Sequence, residues 1–519
     1  MSEHSADPDI QGQVEVLITA NQAFPRLEHL FLKARKHIVL GFRLFDPDTR
    51  LHSDEARALG DTWSDLVAHT LGRGVDIDLT LSDFDPVMVN DMHVQGQSFE
   101  RRFNALNDGA GRMTARCLLY PAQGGLVPRL LFAFRTRKDL FRLVKRMNRA
   151  DDPAQALQQA PGLHDLLSVE NGRVKARPFA LPRLYPLTLH HKLAVFDGEV
   201  TYIGGLDLNN RRFDDTDHNQ AAQDTWHDLQ LVLNDTAFAR DAARFLDQMP
   251  RVIAGEQPPA RPASPFVCTL ARQRRSTTFS LRPKPLVADI LDSHLAPICT
   301  ARHLIYLESQ YFRDRRVARA LVAAAAREPG LALPMLLPAA PEDVAFEPTP
   351  GLEARFGEHL QARAIRKVRR AFGDRFLVVS PAQPRAPRPG DTEEERARLA
   401  DAPIVYVHSK VSLFDDRSAI VSSANLNGRS LKWDAEAGVV LRDPEVVGRL
   451  RDAVFRHWLT ENAGPEFFAP ETAFAAWQAR AFDNAARAPG DRTGFVLPHA
   501  VQPAKRLGQP LPGAPEEMV

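Results

Sequence analysis

Apolar runs alternate with amphipathic stretches along most of the chain, and the alternation repeats. Residues 34–40, ARKHIVL, form an apolar, β-branched run after the end of a helical pattern, and residues 301–307, ARHLIYL, resemble them. Such runs predict strands. Residues 74–79, GVDIDL, match 330–335, GLALPM, and each follows an Ala/Leu-rich helical stretch with glycine in the place of a C-cap. That spacing predicts a helix-then-strand unit in each half. A third pair of strand-like runs is LHHKLAVFD at 189–197 and VHSKVSLFD at 407–415. Turn chemistry follows, Asp197-Gly198 in one copy and Asp415-Asp416-Arg417 in the other, and then strands at 200–203 and 418–422. Three segments recurring in the same order indicate an internal duplication.

Strands alternating with helices predict an α/β fold. The duplication makes it two homologous α-β-α sandwich domains, each a mixed sheet flanked by helices, with a pseudo-twofold relation and the active site between them. The expected divisions are an N-terminal domain at 1–250, a linker at 251–285, a C-terminal domain at 286–488 and a flexible Pro/Gly-rich tail at 489–519. The linker rests on QPPARP at 257–262 and RQRR at 272–275. Insertions at about 100–187 and about 339–400 have no counterpart in the other half and carry what is specific to this protein.

A length of 519 residues fits two to four domains at roughly 100 to 200 residues each. Hydrophobic residues at 44% and charged residues at 25% exclude a disordered or fibrous chain. A net charge of +1 gives no global attraction to nucleic acid or anionic membrane, so any basic surface is local. Cys117, Cys268 and Cys299 form no CxxC pair, which excludes a disulfide framework and a thiolate zinc site and fits a reducing compartment. The N-terminus is polar and acidic, unlike a Sec signal peptide. The longest apolar runs, 320–326 and 331–337, fall far short of the roughly 18 to 20 residues of a membrane span. The expected location is cytoplasmic or peripheral to a membrane, with secretion by a signal-independent route as the alternative.

Two basic stretches stand out. Residues 129–149 are basic and aromatic and suit a membrane interface, or else a domain helix packed by Leu130, Phe134, Leu140 and Phe141 with a solvated basic face. Residues 363–370 are similar but less apolar.

The third repeated segment carries chemistry, because both copies contain HxKxxxxD. In a strand, positions i and i+2 share a face, so His190 lies beside Lys192 and His408 beside Lys410. A lysine holds phosphate oxygens, and a histidine can serve as nucleophile or general acid and base near neutrality. Displacement at phosphorus needs an attacking group on one side and a proton donor on the other, which a twofold pair supplies. Asp197 and Asp415 lie on the order of 16 Å farther along and are assigned structural roles in the turns. Asp228 and Glu436, on the next strand but one of each half, are the candidates to partner His190 and His408. His191 faces the other side and is expected in the core, and Trp226 is expected to pack.

The two motifs, together with IGGLDL at 203–208, WHD at 226–228, SSANLN at 422–427 with Arg429-Ser430, and YLESQYF at 306–312, resemble the phospholipase D superfamily. The resemblance spans about 30–460. It implies a phosphodiesterase working through a phosphohistidine, with His190 as nucleophile and His408 as acid, then base. Lys192, Lys410 and Asn425 would bind the phosphoryl oxygens. No metal or cofactor is required, and calcium stimulation is left open. In the first half Asp207 stands where some relatives carry Asn, and it is not expected to be catalytic. The GGxDL and WHD segments look like the lipid-acting, eukaryote-type members. The expected reaction is therefore hydrolysis of a phosphatidylcholine-like lipid to phosphatidic acid and a free alcohol, with cardiolipin synthase-like transphosphatidylation or endonuclease activity as alternatives. A phospholipid is the expected partner, nucleic acid is not, and a chain holding both motifs is expected to act as a monomer.

Overall fold

The computed structural model describes residues 8–107, 109–274, 278, 282–347, 349–512 and 514–518. Residues 1–7 of the acidic N-terminus and Arg275 of the basic run lie outside them.

In the first half the strands are β1 (Val14–Ile18), β2 (His37–Phe42), β3 (Asp76–Ser82), β4 (Met113–Leu118), β5 (Leu167–Glu170), β6 (Arg173–Ala176), β7 (Leu193–Phe196), β8 (Val200–Gly204) and β9 (Leu229–Asn234). β5 and β6 form a separate hairpin, and the others make one sheet in the order β1-β9-β8-β7-β2-β3-β4. The second half adds β10 (Phe266–Arg272), β11 (Lys284–Ala288), β12 (Ile305–Glu308), β13 (Leu333–Leu336), β14 (Phe376–Pro381), β15 (Arg398–Leu399), β16 (Ala402–Pro403), β17 (Val411–Phe414), β18 (Ser418–Ser422), β19 (Glu436–Leu441) and β20 (Val496–Pro498). Leaving aside the small β15–β16 pair, these form a sheet in the order β11-β10-β19-β18-β17-β12-β13-β14-β20.

The series β9-β8-β7-β2-β3-β4 and β19-β18-β17-β12-β13-β14 are the same fold twice. In each, the motif strand pairs antiparallel with β2 or β12, and the next two strands continue in parallel. The motif strands lie in the middle of sheets covered by helices on both faces, and LAVF of β7 and VSLF of β17 are accordingly buried at every position. The mixed α/β architecture with two helix-flanked sheets is thus as the pattern predicts.

Two sequence divisions need correction. The expected linker supplies β10 and β11, and β10 pairs with β19 inside the second sheet. Proline-rich composition at 257–262 conceals the apolar run that begins at Phe266. The expected flexible tail supplies β20, which pairs with β14, and the helix Val501–Leu507. Val496 and Leu497 are buried, so this short apolar run anchors a Pro/Gly-rich segment against the sheet.

Both motif aspartates sit at the far ends of their strands. Asp197 adopts φ 52° and accepts backbone N–H groups from Arg35, Lys36 and His37 at 2.8–3.0 Å. Asp415 adopts φ 50° and does the same for Arg302, His303 and Leu304 at 2.9–3.0 Å. Each ties the turn after the motif strand to the start of its neighbour, β2 or β12. Aspartate tolerates this left-handed backbone better than most side chains.

Candidate active site

The histidines and lysines of the motifs precede the strands, in extended lead-ins that cross to the opposite half. His190 and His191 both donate backbone N–H to the Ala435 carbonyl, at 2.8 and 3.0 Å. Symmetrically, His408 donates to the His227 carbonyl at 2.8 Å and His227 to the Tyr406 carbonyl at 2.8 Å. These crossings bring the two imidazoles together, with ring centroids 6.3 Å apart and ring planes tilted by 55°.

The crossing also reverses the expected carboxylate pairing. His190 Nδ1 lies 3.0 Å from Glu436 Oε2, and His408 Nδ1 lies 2.6 Å from Asp228 Oδ2. Each histidine is held by the carboxylate of the other half, because its lead-in pairs with the segment that begins the other half's β9 or β19. With Nδ1–H donating to a carboxylate, Nε2 of each ring is left for the cavity.

Charges are buried together here. Burial, then the nearby Lys192 and Arg43, holds the His190 imidazole well below its ordinary range. Burial, then Lys410 and Lys192, does the same to His408. Burial lowers Lys192 and brings Lys410 down to about 7. It also raises Asp228 and pushes Glu436 up to about 7. Of the two cations, two carboxylates and two imidazoles in this desolvated space, Lys410 and Glu436 are the two brought to about 7.

A cavity of about 560 Å³ opens above this set, lined by His190, His408, Asn425, Arg43, Gln310 and Trp226 among others. Asn425 donates to Gln310 Oε1 at 3.0 Å, and its own Oδ1 is buried with no partner among the described residues. In the first half the same two positions are charged. Asp207 accepts the Leu44 N–H at 3.0 Å and lies 3.8 Å from Arg43 and 3.7 Å from Lys192. An Arg43–Asp207 ion pair therefore stands opposite a neutral Gln310–Asn425 pair, and Asp207 compensates cations rather than offering a phosphate ligand.

Arg43 escaped the sequence reading and Gln310 entered it only within YLESQYF, with no role of its own, although extending the match between 34–40 and 301–307 by three positions reaches both. Trp226 does more than pack: its ring lies 4.7 Å from that of His408, and Arg212 sits 3.6 Å over its face. His191 is fully buried, as expected.

The basic segment forms the helices Leu126–Leu131 and Ala133–Met147. Leu140 is buried, but Leu130, Phe134 and Phe141 are exposed, so the packed-helix reading fails at three of its four residues. Among the described residues, no helix is long and apolar enough to cross a membrane.

Residues 295–458 match the family described as "Cardiolipin synthase, PLD-like domain". Phospholipase D1 of Schizosaccharomyces pombe is 24% identical over 387 residues, covering 53% of this chain and 27% of that protein. Phospholipase D zeta 1 of Arabidopsis thaliana is 53% identical over 45 residues, covering 8% of this chain and 4% of that protein. The matched stretches thus span well under two thirds of these relatives. A solved phosphatidylserine synthase of Haemophilus influenzae Rd KW20 overlays with a TM-score of 0.49 at 12% identity, covering 92% of this chain and 95% of that one. The PLD-like domain match over residues 295–458 and the similarity to the two yeast phospholipases D1 support a place for this chain in the phospholipase D superfamily.

Proposed function

We propose that the protein is a phospholipase D-type phosphodiesterase that cleaves the headgroup-side diester of a phospholipid, giving phosphatidic acid and a free alcohol. The observation that best supports this is the pair of imidazoles 6.3 Å apart, each tied to a carboxylate of the opposite half and both lining one cavity.

His190 Nε2 attacks phosphorus, the bond from phosphorus to the alcohol oxygen breaks, and His408 Nε2–H gives its proton to that oxygen. Water then attacks the phosphohistidine. His408 takes the water's proton, the P–N bond breaks, and its electron pair returns to His190. Glu436 and Asp228 hold the rings in the required tautomer and stabilise the imidazolium that each step forms. Lys192, Lys410 and Asn425 bind the non-bridging oxygens and supply the positive charge and hydrogen bonding that the transition state needs, without a metal or cofactor at phosphorus. Burial, then Lys410 and Lys192, keeps His408 neutral in the free site. The negative charge of the bound diester favours the imidazolium, so His408 takes up a proton from solvent as the diester binds and donates that proton to the leaving oxygen.

A lipid is favoured over a nucleic acid by what surrounds the cavity. Phe84, Met88, Val89, Met92 and Phe132 line one side. Beside them Leu131 and Phe134 are 77% and 85% exposed, next to Arg135, which also lines the cavity. Apolar side chains projecting from a basic helix suit the surface of a phospholipid bilayer, with the segment 129–149 resting on it. One chain supplies both histidines and both carboxylates, so a monomer suffices.

The name of the matching family favours a second reading, in which an alcohol replaces water at the phosphohistidine. Mass spectrometry of products from mixed phospholipids with an added primary alcohol, run beside His190→Ala and His408→Ala and with plasmid DNA in parallel, tests both. Phosphatidic acid or a phosphatidyl-alcohol that disappears in both variants is the expected result, and the ratio of the two identifies the acceptor. Nicked DNA without lipid turnover would replace this reading with a nuclease.

A further inference from the structure

Behind the Asp228–His408 pair, away from the cavity, three more imidazoles converge. His218 comes from the loop before WHD, His227 from WHD itself, and His457 from the last turn of the helix Pro444–Leu459. One nitrogen from each lies within 4.8 Å of the others, and the ring centroids are 5.6, 5.0 and 4.5 Å apart.

The far nitrogens of two rings are already committed to carboxylates. His218 Nδ1 donates to Asp214 Oδ2 at 2.6 Å, and His227 Nε2 donates to Glu308 Oε1 at 3.2 Å. The remaining nitrogens have too few protons among them. His218 Nε2 and His457 Nε2 are 3.0 Å apart and can share one proton, while His227 Nδ1 is buried with no partner among the described residues. His227 is 1% exposed, so this is a lone pair left unused in the interior, which is costly unless a ligand takes it.

We propose that His218, His227 and His457 bind one divalent cation of the zinc class. Imidazole nitrogens bound tetrahedrally at about 2.0–2.1 Å lie roughly 3.4 Å apart. The 3.0 Å spacing of His218 and His457 is already close to that. Imidazole-only donors select zinc, cobalt or nickel over calcium and magnesium. Asp214–His218 and Glu308–His227 reproduce the carboxylate–histidine–metal arrangement that fixes a ligand's tautomer and raises its basicity. Burial also lowers the His227 and His457 pKa values, favouring the neutral, ligating form. His457 is only partly buried, which leaves a route from solvent and a fourth position for water.

The ligands come from both halves, so the cation acts as a staple between them. His227 immediately precedes Asp228, and its backbone pairs with Tyr406 and His408. The cation thus sets the position of the proton-donating histidine through its neighbours and does not touch substrate.

The test uses the full-length protein, stripped with a chelator and then titrated with Zn²⁺ or Co²⁺. The expected results are one equivalent of zinc by elemental mass spectrometry, the visible bands of tetrahedral Co²⁺, and a rise in Tm with added zinc. All three should be lost in His457→Ala and in the milder His218→Gln, with circular dichroism showing that the variants stay folded. Wild-type protein that takes up no more zinc than His218→Gln, or a Tm unmoved by zinc, would overturn the proposal. None of these readouts depends on which diester the enzyme cleaves.

Discussion

Asp228 Oδ2 lies 2.6 Å from His408 Nδ1 across 180 residues of sequence, and the two belong to opposite halves of the duplicated fold. The reciprocal contact, His190 with Glu436 at 3.0 Å, spans 246 residues. Neither half pairs its motif histidine with a carboxylate of its own.

On the proposed roles of His190 and His408, this exchange assigns each carboxylate to a chemical step. Asp228→Asn and Glu436→Gln should each lower kcat on a lipid substrate by roughly a hundred- to ten-thousand-fold. A diester with a p-nitrophenolate leaving group needs no proton donor. On that substrate the burst of p-nitrophenol should survive in Asp228→Asn and vanish in Glu436→Gln. Equal loss of the burst in both would contradict the assignment.

The pH profile follows from the two groups held near neutrality. The Glu436 carboxyl is pushed up to about 7, so kcat/KM rises as it ionises. The Lys410 ammonium is brought down to about 7, so kcat/KM falls as it loses its proton. The free enzyme should therefore show a narrow maximum near neutral pH, with both limbs belonging to the coupled site. A bound diester anion favours the ammonium, so the alkaline limb of kcat should lie at higher pH than that of kcat/KM. Lys410→Arg, which keeps its charge, should be slower but lose the alkaline limb.

How much of this was legible in the sequence depended on what each signal reports. Buried strands announce themselves by apolar content, so β2, β3, β7 and their counterparts, and hence the α/β duplication, were readable. HxKxxxxD and the two carboxylates were readable because chemistry constrains their residue types, and Asn425 through the family resemblance. The exchange of partners was not, since it depends on 189–192 and 407–410 crossing to the other half. Leu130, Phe134 and Phe141 mark the limit of periodicity, which identifies an apolar face without showing whether protein covers it.

The motif aspartates should matter for stability rather than turnover. Asp415→Ala removes an acceptor for three backbone N–H groups and leaves a non-glycine residue at φ 50°. The expected cost is about 1–3 kcal/mol in urea or thermal unfolding, with kcat and KM of the folded protein little changed. Asp197, more open to solvent, should cost less when replaced in the same way.

The exposed apolar residues beside the cavity predict a separation of binding from chemistry. Leu131→Ser with Phe134→Ser should weaken binding to phospholipid vesicles at least about tenfold, given the apolar area each residue could bury. Turnover of a short-chain, water-soluble diester should be unchanged. Undiminished vesicle sedimentation would show that this face does not meet the membrane.

The central claim is that His190 carries the phosphoryl group. The most direct test is to quench the enzyme during turnover and map the adduct by peptide mass spectrometry in wild type, His190→Ala and His408→Ala. The account predicts a phosphatidyl adduct on His190, accumulating in His408→Ala with the p-nitrophenyl substrate and absent from His190→Ala. An adduct on His408, or turnover without any adduct, would contradict it.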